Sequence, residues 1–149
     1  MSRTQEATQA LGQLLITGFE GLELEESTSQ FLTSANIGGI IYFAANYDSP
    51  GQLAELSNQI QDARADSPLW VSVDHEGGRV QRFKKGFTRI PDAGAIGATD
   101  SPKLAFEIAE MMAKELKAVG LNLNFSPVAD INTNSINPVI GNLSFGDTD

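Results

Sequence analysis

Four short apolar runs, separated by stretches with helical spacing, constrain the fold of this chain most strongly. The runs are Leu14–Gly18, Gly39–Phe43, Leu69–Val73 and Leu121–Pro127. The first three are almost continuously apolar, which is typical of strands covered on both faces. The fourth alternates apolar with polar residues, which predicts that one of its sides, the interior side in a barrel, meets polar groups. Strands that alternate with helices form parallel sheets, so the sequence predicts an α/β fold.

Helix start signals lie between these runs. Ser49 and Ser101 each precede a proline, and a capping hydroxyl before a proline at the first helical position is a strong start signal. Apolar residues then recur with helical spacing after both serines. Gly120 is well placed to end the second of these helices. Weaker patterns predict helices over Leu24–Ala35 and Thr4–Gly12.

Composition excludes several classes of protein. A length of 149 residues with 41% apolar and 19% charged residues indicates one globular domain. The net charge of −9 argues against nucleic-acid binding, and the absence of cysteine excludes disulfides and thiolate metal sites. The amino-terminal residues do not resemble a signal peptide, and no apolar run is long enough to span a bilayer. We therefore expect a cytoplasmic protein with no membrane partner.

Charged residues follow the third apolar run directly. Asp74, Glu76 and Arg79 fall within six residues, and two glycines separate the last two. A charge just beyond a buried strand is costly to hold there, so it usually serves binding or catalysis. Asn46 follows the second run and Asp130 follows the fourth. Because parallel strands present their sites at their carboxyl ends, we expect these residues to converge there.

The residue types in this cluster fit more than one role. Paired carboxylates can do acid–base and nucleophilic work on glycosides. Asp74 or Glu76 can equally cap a turn or pair with Arg79. His75, the only histidine, lacks the spacing of a standard metal site, so a histidine held by hydrogen bonds within its loop is the favoured interpretation. No glycine loop of the dinucleotide- or phosphate-binding type is present, so neither a cofactor nor a metal is expected. The absence of a nucleophile elbow argues separately against a serine hydrolase.

About two dozen residues separate Gly77 from the helix that begins near Ser101, far more than a usual βα loop contains. This segment is the one basic stretch of an acidic chain, with Arg79, Arg82, Lys84, Lys85 and Arg89. One interpretation is a loop that binds an anionic or polyhydroxylated ligand. The other is a solvated flap without a ligand. Composition alone leaves both interpretations open.

Four segments resemble family 3 glycoside hydrolases, and the bacterial β-N-acetylhexosaminidase branch is the most similar. Val73–Phe83 followed by Gly86–Pro91 is similar to the family signature. Further similar segments occur in the same order, namely Gly38–Phe43 with Asn46, Leu121–Asp130 and Val139–Asp147. The resemblance extends over nearly the whole chain.

The resemblance implies a barrel of eight βα units that removes terminal β-linked N-acetylglucosamine, typically from muropeptide fragments in cell-wall recycling. It implies a retaining route through a covalent glycosyl-enzyme. It also implies that Asp74 binds hydroxyls of the terminal sugar and is not the nucleophile. Binding of this kind accelerates a reaction if the hydrogen bonds tighten in the transition state.

Departures from the family pattern are equally informative. The family's nucleophilic Asp, its His-Asp acid/base pair and its Lys-His motif all lie beyond the segments matched here, so the resemblance places no catalytic residue in these 149 residues. Leu143 stands where the family usually has a sugar-binding Arg, and Ala45 stands where another Arg is common. Residues 1–149 therefore resemble the amino-terminal part of the catalytic domain, about four of its eight βα units.

Two functional hypotheses follow. The first is a glycosidase fragment, inactive alone, that binds a saccharide through Asp74 with Arg79, Asp130, Glu76 and Asn46 as further binding residues. The second is a non-catalytic saccharide-binding or self-associating half-barrel, which the loss of Arg at Ala45 and Leu143 favours. In either case the first and fourth strands are open edges, and such edges invite self-association.

Overall fold

A computed structural model describes residue 7, residues 10–65 and 67–134, residue 136 and residues 138–148. Its strands are β1 (Ile16–Thr17), β2 (Gly39–Tyr42), β3 (Trp70–Val73) and β4 (Leu123–Asn124). Its helices are α1 (Glu26–Ser34), α2 (Pro50–Ala63), α3 (Ala93–Gly97) and α4 (Pro102–Ala118). Short 3₁₀ turns cover Ala44–Asn46 and Gly141–Leu143. Most of the helix predicted over Thr4–Gly12 lies outside the described residues.

The four strands form one parallel sheet in the order β1-β2-β3-β4. Each strand therefore lies beside its neighbour in sequence, with helices between successive strands. Within the described part of the chain, β1 and β4 each pair on one side only. The predicted α/β class and the half-barrel architecture are confirmed, since the sheet is open and parallel and consists of consecutive βα units.

Both serine-proline start signals act as predicted. The Ser49 hydroxyl accepts a hydrogen bond from the backbone N–H of Gln52 at 3.3 Å. The Ser101 hydroxyl accepts the equivalent bond from Leu104, also at 3.3 Å. A cap of this kind typically contributes about 1 kcal/mol because it satisfies an N–H that has no partner inside the helix. Gly120 ends α4 with a φ of +88°, which suits glycine.

The hydrophobic core lies between the sheet and its helices. It contains the alternate strand residues Ile40, Tyr42, Val71 and Val73 together with apolar residues of α1, α2 and α4. Phe83 and Phe87 from the basic segment complete it. On the face opposite the helices, Trp70 at the start of β3 is 54% exposed and Ile16 of β1 is 38% exposed, whereas Gly39 and Ser72 are buried. The expectation that the first three strands are covered on both faces therefore holds for most of β2 and β3 and fails at β1 and at the start of β3.

The fourth strand differs most from its prediction. Only Leu123–Asn124 has strand geometry, compared with the predicted Leu121–Pro127. Asn122 and Asn124 use their side-chain amides to bond the backbone of the β3 segment, at Val71 and His75 among others. These amide bonds lie beside backbone bonds from Asn122 to Val71 and from Phe125 to Val73, so side chains provide part of the pairing with β3. The Asn124 side chain also approaches Met112 of α4, so it lies on the helix side and not on the predicted interior side.

A short helix, α3, interrupts the long segment between β3 and α4 and was not predicted. Its sequence is rich in alanine and glycine and has no clear start signal, since the Asp92 side chain makes no capping bond. Ala93 and Ile96 are buried, so packing holds this helix in place. No helix in the described part of the chain is both long and apolar enough to cross a lipid bilayer.

Candidate functional site

The candidate site lies at the carboxyl end of β3, where the chain leaves the sheet at Asp74. The two glycines after Glu76 make this exit tight. Gly77 and Gly78 have φ values of +92° and +49°, and an added Cβ at Gly77 would lie 2.5 Å from the Pro91 carbonyl oxygen. Only glycine fits such a turn without strain. An isolated antiparallel bridge then pairs Gly77 with Val80. This bridge turns the basic segment back over the edge of the sheet.

Asp74 and Arg82 form the central polar pair of the site. The Arg82 Nη2 atom lies 3.4 Å from the Asp74 Oδ2 atom, and both side chains are about one-third exposed (30% and 31%). The Arg82 guanidinium also lies 5.7 Å from the centre of the Phe43 ring. Its Nε atom is buried and has no hydrogen-bond partner among the described residues. A carboxylate and a guanidinium, both partly exposed, are thus held side by side where a ligand can reach them.

Arg82 was not singled out as a binding residue from the sequence, although it lies in the basic segment. The available signal was its position, four residues after Gly78 and beside the buried Phe83. A turn formed by the two glycines brings such a residue back over the strand end. Without the turn geometry, Arg79 and Arg82 are equivalent candidates.

Arg79, which the sequence predicted as a binding residue, forms hydrogen bonds with the carboxyl-terminal segment. Its guanidinium donates to the backbone carbonyls of Pro138 and Ile140, each at 3.1 Å, and also to that of Val139. The side chain therefore fixes residues 138–140 beside the site. Its positive charge stays close enough to Glu76 to favour the ionised carboxylate.

Glu76 lies at the edge of an apolar cavity of about 240 Å³ between α4 and the carboxyl-terminal segment. Burial raises the pKa of Glu76, and the nearby Asp74 charge raises it further. Arg82 and Arg79 oppose that shift. Leu143, which stands where the family resemblance predicts Arg, lines the same cavity. The cavity is thus apolar at a position where the resemblance implies a cation.

Asn46 has a different environment from the one predicted for it. It is fully buried, and its Nδ2 atom donates to the carbonyls of Phe19 and Gly21, both at 2.9 Å. Its Oδ1 atom accepts from the Phe43 N–H at 2.9 Å. Asn46 therefore joins the loop after β1 to the end of β2. The predicted convergence of these loops is present, and the Asn46 side chain uses its bonding capacity within the protein.

Asp130 is exposed, and its backbone carbonyl accepts a 2.7 Å hydrogen bond from the Ser144 hydroxyl. Among the described residues its carboxylate forms no ion pair with Arg79 or Arg82. The structure thus brings Asp74, Glu76 and Arg82 together and leaves the Asp130 carboxylate directed to solvent.

His75 belongs to the core and not to the exposed part of the candidate site. It is 1% exposed and packs against the rings of Phe83 and Phe87, with ring centres 5.3 and 5.8 Å away. Burial lowers its pKa to about 4, so the imidazole is neutral at physiological pH. Its backbone N–H and carbonyl both bond Asn124. No group of three or more potential metal ligands occurs among the described residues.

Comparison with known proteins identifies the family. Residues 7–149 match the family described as "Glycosyl hydrolase family 3 N terminal domain". The chain belongs to glycosyl hydrolase family 3. A curated relative in this family, the "Beta-hexosaminidase" of Thioalkalivibrio sulfidiphilus, is 41% identical over 142 residues, which cover 91% of this chain and 40% of the relative. This chain therefore spans about two-fifths of the length of such family 3 relatives.

Solved structures of family 3 proteins agree with this assignment. A β-N-acetylglucosaminidase from Paenibacillus sp. str. FPU-7 superposes with a TM-score of 0.91 at 44% identity, over 95% of this chain and 27% of that protein. NagZ from Neisseria gonorrhoeae, in complex with N-trifluoroacetyl-D-glucosamine, gives a TM-score of 0.82 at 38% identity, over 89% of this chain and 40% of NagZ. The family and fold predicted from the sequence are thus confirmed.

Proposed function

We propose that this chain forms the sugar-binding edge of a β-N-acetylhexosaminidase of family 3, acting on terminal β-linked N-acetylglucosamine. The observation that carries the proposal is the Asp74–Arg82 pair, which is partly exposed at the carboxyl end of β3. The similarity to proteins named β-hexosaminidase and β-N-acetylglucosaminidase supports the substrate class. Substrates resembling muropeptides and a cytoplasmic location belong to the same proposal.

The chemistry of the pair suits a sugar. An ionised Asp74 carboxylate accepts hydrogen bonds from two neighbouring hydroxyls, and the free N–H groups of Arg82 donate to a hydroxyl or ring oxygen. Hydrogen bonds to charged groups are about twice as strong as neutral ones, so a small number of them can orient a sugar. Phe43, beneath the guanidinium, provides an apolar surface beside the pair.

The other predicted binding residues take supporting roles in this proposal. Arg79 positions residues 138–140 at the edge of the site, and Asn46 holds the loop after β1 in place. Glu76 adds negative charge next to Asp74, and Asp130 offers an exposed carboxylate on the neighbouring loop. None of these residues is proposed as a nucleophile or acid/base group, so residues 1–149 alone are proposed to bind without turnover.

Calorimetric titration of the purified 149-residue protein with N-acetylglucosamine tests the proposal. We expect saturable heat with the wild-type protein and a loss of binding of at least tenfold for Asp74→Ala. Asp62→Ala is the matched control, because Asp62 is an exposed carboxylate on α2, away from the site. Binding that is equal in the Asp74→Ala and Asp62→Ala proteins would remove Asp74 from the site.

Incubation with an aryl β-N-acetylglucosaminide tests the absence of turnover. We expect no release of the aglycone above the rate in buffer. Release at a rate near that of a complete family 3 enzyme would contradict the assignment of a binding role alone, and would require a nucleophile among residues 1–149.

A second proposal, self-association of the half-barrel, is supported by exposed apolar side chains on the face of the sheet opposite the helices, which we call the uncovered face. Ile16, Phe43, Trp70 and Phe125 are all more than one-third exposed. Ile16 and Trp70 lie over Gly39 on that face, since an added Cβ at Gly39 would lie 2.8 Å from the Trp70 Cβ. Apolar surface next to unpaired strand edges favours association of two copies. This proposal is compatible with saccharide binding or with a purely structural role.

A further inference from the structure

A second pocket of about 380 Å³ adjoins the Asp74–Arg82 pair and has no role in the function proposed above. It lies between the turn after β2 and the basic segment after Gly78. Four cationic side chains line it, namely Arg79, Arg82, Lys84 and Lys85. These are four of the ten Lys and Arg residues of a chain with a net charge of −9. Four cationic side chains thus share one pocket of an acidic protein.

Carboxylates lie near the two arginines, since Asp74 pairs with Arg82 and Glu76 lies close to both Arg79 and Arg82. Asp48 is the one acidic residue among those lining the pocket. The excess positive charge of the pocket therefore comes from the two lysines. Within the described part of the chain, Lys84 and Lys85 make no ion pair, and both are exposed. Such a concave cluster of one sign creates a local potential that attracts an anion.

Side-chain hydrogen bonds anchor the backbone that carries the two lysines, while the lysine side chains themselves are exposed. The Tyr47 hydroxyl donates to the Lys85 carbonyl. The buried Gln81 amide donates to the carbonyls of Phe83 and Thr88, at 3.0 and 2.8 Å. Gln81 also accepts from the Ile90 N–H at 3.0 Å. The basic segment is therefore held at both ends of its turn, so an anion does not have to order it.

We propose that this basic pocket binds an anionic substituent, a carboxylate or a phosphate, on the saccharide held by Asp74 and Arg82. Arg82 links the two places, because it lines the pocket and also pairs with Asp74. The inference deepens the proposed function and rests on it for the identity of the saccharide. It adds that the preferred saccharide is anionic, and that Lys84 and Lys85 provide the preference.

Calorimetric titration with three sugars tests the preference for an anion. The neutral probe is N-acetylglucosamine, and the anionic probes are N-acetylglucosamine 6-phosphate and N-acetylglucosaminuronic acid. We expect at least one anionic sugar to bind about tenfold more tightly than the neutral sugar at low ionic strength, which is the effect of roughly two partly screened charge contacts. The advantage decreases as salt is added. Equal affinity for all three sugars would overturn the proposal.

The double variant Lys84→Ala/Lys85→Ala assigns the effect to the pocket. We expect it to remove the anionic advantage and to leave the affinity for N-acetylglucosamine within twofold. Lys103→Ala/Lys117→Ala is the matched control, since it removes the same charge from exposed positions of α4. An anionic advantage that persists in Lys84→Ala/Lys85→Ala, or that disappears equally in the control, would contradict the assignment.

Inorganic phosphate separates failure of this inference from failure of the proposed function. We expect phosphate to bind weakly to the wild-type protein and to Asp74→Ala, and not to Lys84→Ala/Lys85→Ala. If N-acetylglucosamine does not bind but phosphate follows this pattern, the sugar site fails and the anion pocket remains. If phosphate binds equally to all variants, the pocket fails whatever the sugar does.

Discussion

Arg82 lies 3.4 Å from Asp74, whereas Arg79, three residues earlier, donates to the backbone carbonyls of residues 138–140. Two arginines of the same short segment therefore have separate tasks. One faces the place where a sugar would bind, and the other holds the neighbouring segment.

This division predicts different effects for the two arginines. Arg82→Gln removes a charged donor beside Asp74, so we expect about tenfold weaker binding of N-acetylglucosamine and little change in stability. Arg79→Gln removes donors to backbone carbonyls, so we expect a loss of about 1 kcal/mol in the free energy of unfolding, with sugar affinity changed less than for Arg82→Gln. Calorimetry and urea unfolding measure the two quantities. The same loss of affinity for both variants would contradict the division.

Asn46 is predicted to contribute mainly to stability. Asn46→Ala leaves the Phe43 N–H and the carbonyls of Phe19 and Gly21 without their present partner. Each buried group left unpaired costs about 1–3 kcal/mol, and solvent entry reduces that cost, so we expect a total loss of about 2–3 kcal/mol in urea unfolding. Asn58→Ala, at an exposed position of α2, is the control and should change stability by less than about 0.5 kcal/mol. A small effect at Asn46 would show that its hydrogen bonds are dispensable.

His75 predicts a pH-dependent stability. Its folded-state pKa of about 4 lies below the usual 6.5, so the unfolded chain binds the proton more readily. The contribution of His75 is therefore fully present above about pH 6.5 and decreases as the pH falls towards 4, by at most about 3 kcal/mol. Urea unfolding at several pH values between 7 and 4 measures it.

The matched variant for this prediction is His75→Phe, which replaces the imidazole by a ring that cannot titrate and that suits its neighbours Phe83 and Phe87. We expect the loss of stability between pH 7 and 5 to be smaller in His75→Phe than in the wild-type protein. Identical pH profiles for the two proteins would show that His75 is not the group responsible.

Self-association predicts an effect at the uncovered face of the sheet. Trp70→Glu places a charge among exposed apolar residues, so we expect the average mass in light scattering to fall towards about 16 kDa at concentrations where the wild-type protein associates. Phe106→Glu is the control, because Phe106 is 69% exposed on α4, on the helix side. A wild-type protein that stays monomeric at all concentrations, or an equal effect of both variants, would contradict association through this face.

Local signals in the sequence predicted most of the fold. The serine-proline pairs gave the starts of α2 and α4, and the apolar runs gave all four strands, because these features depend on neighbours only a few residues away. The short helix α3 was missed because it is held by packing and has no capping signal. The length of β4 was missed because its pairing depends partly on side-chain bonds from Asn122 and Asn124 to a segment about 50 residues away.

For the site, the sequence by itself determined that carboxylates and cations gather where β3 ends, and the resemblance it carries identified the family. It did not determine which arginine faces Asp74, nor that Asn46 and His75 are buried. Those outcomes depend on the turn at Gly77 and Gly78 and on contacts between segments far apart in the chain. Residue type and spacing specify local conformation and charge, whereas only the folded backbone decides which of two similar side chains is free to meet a ligand.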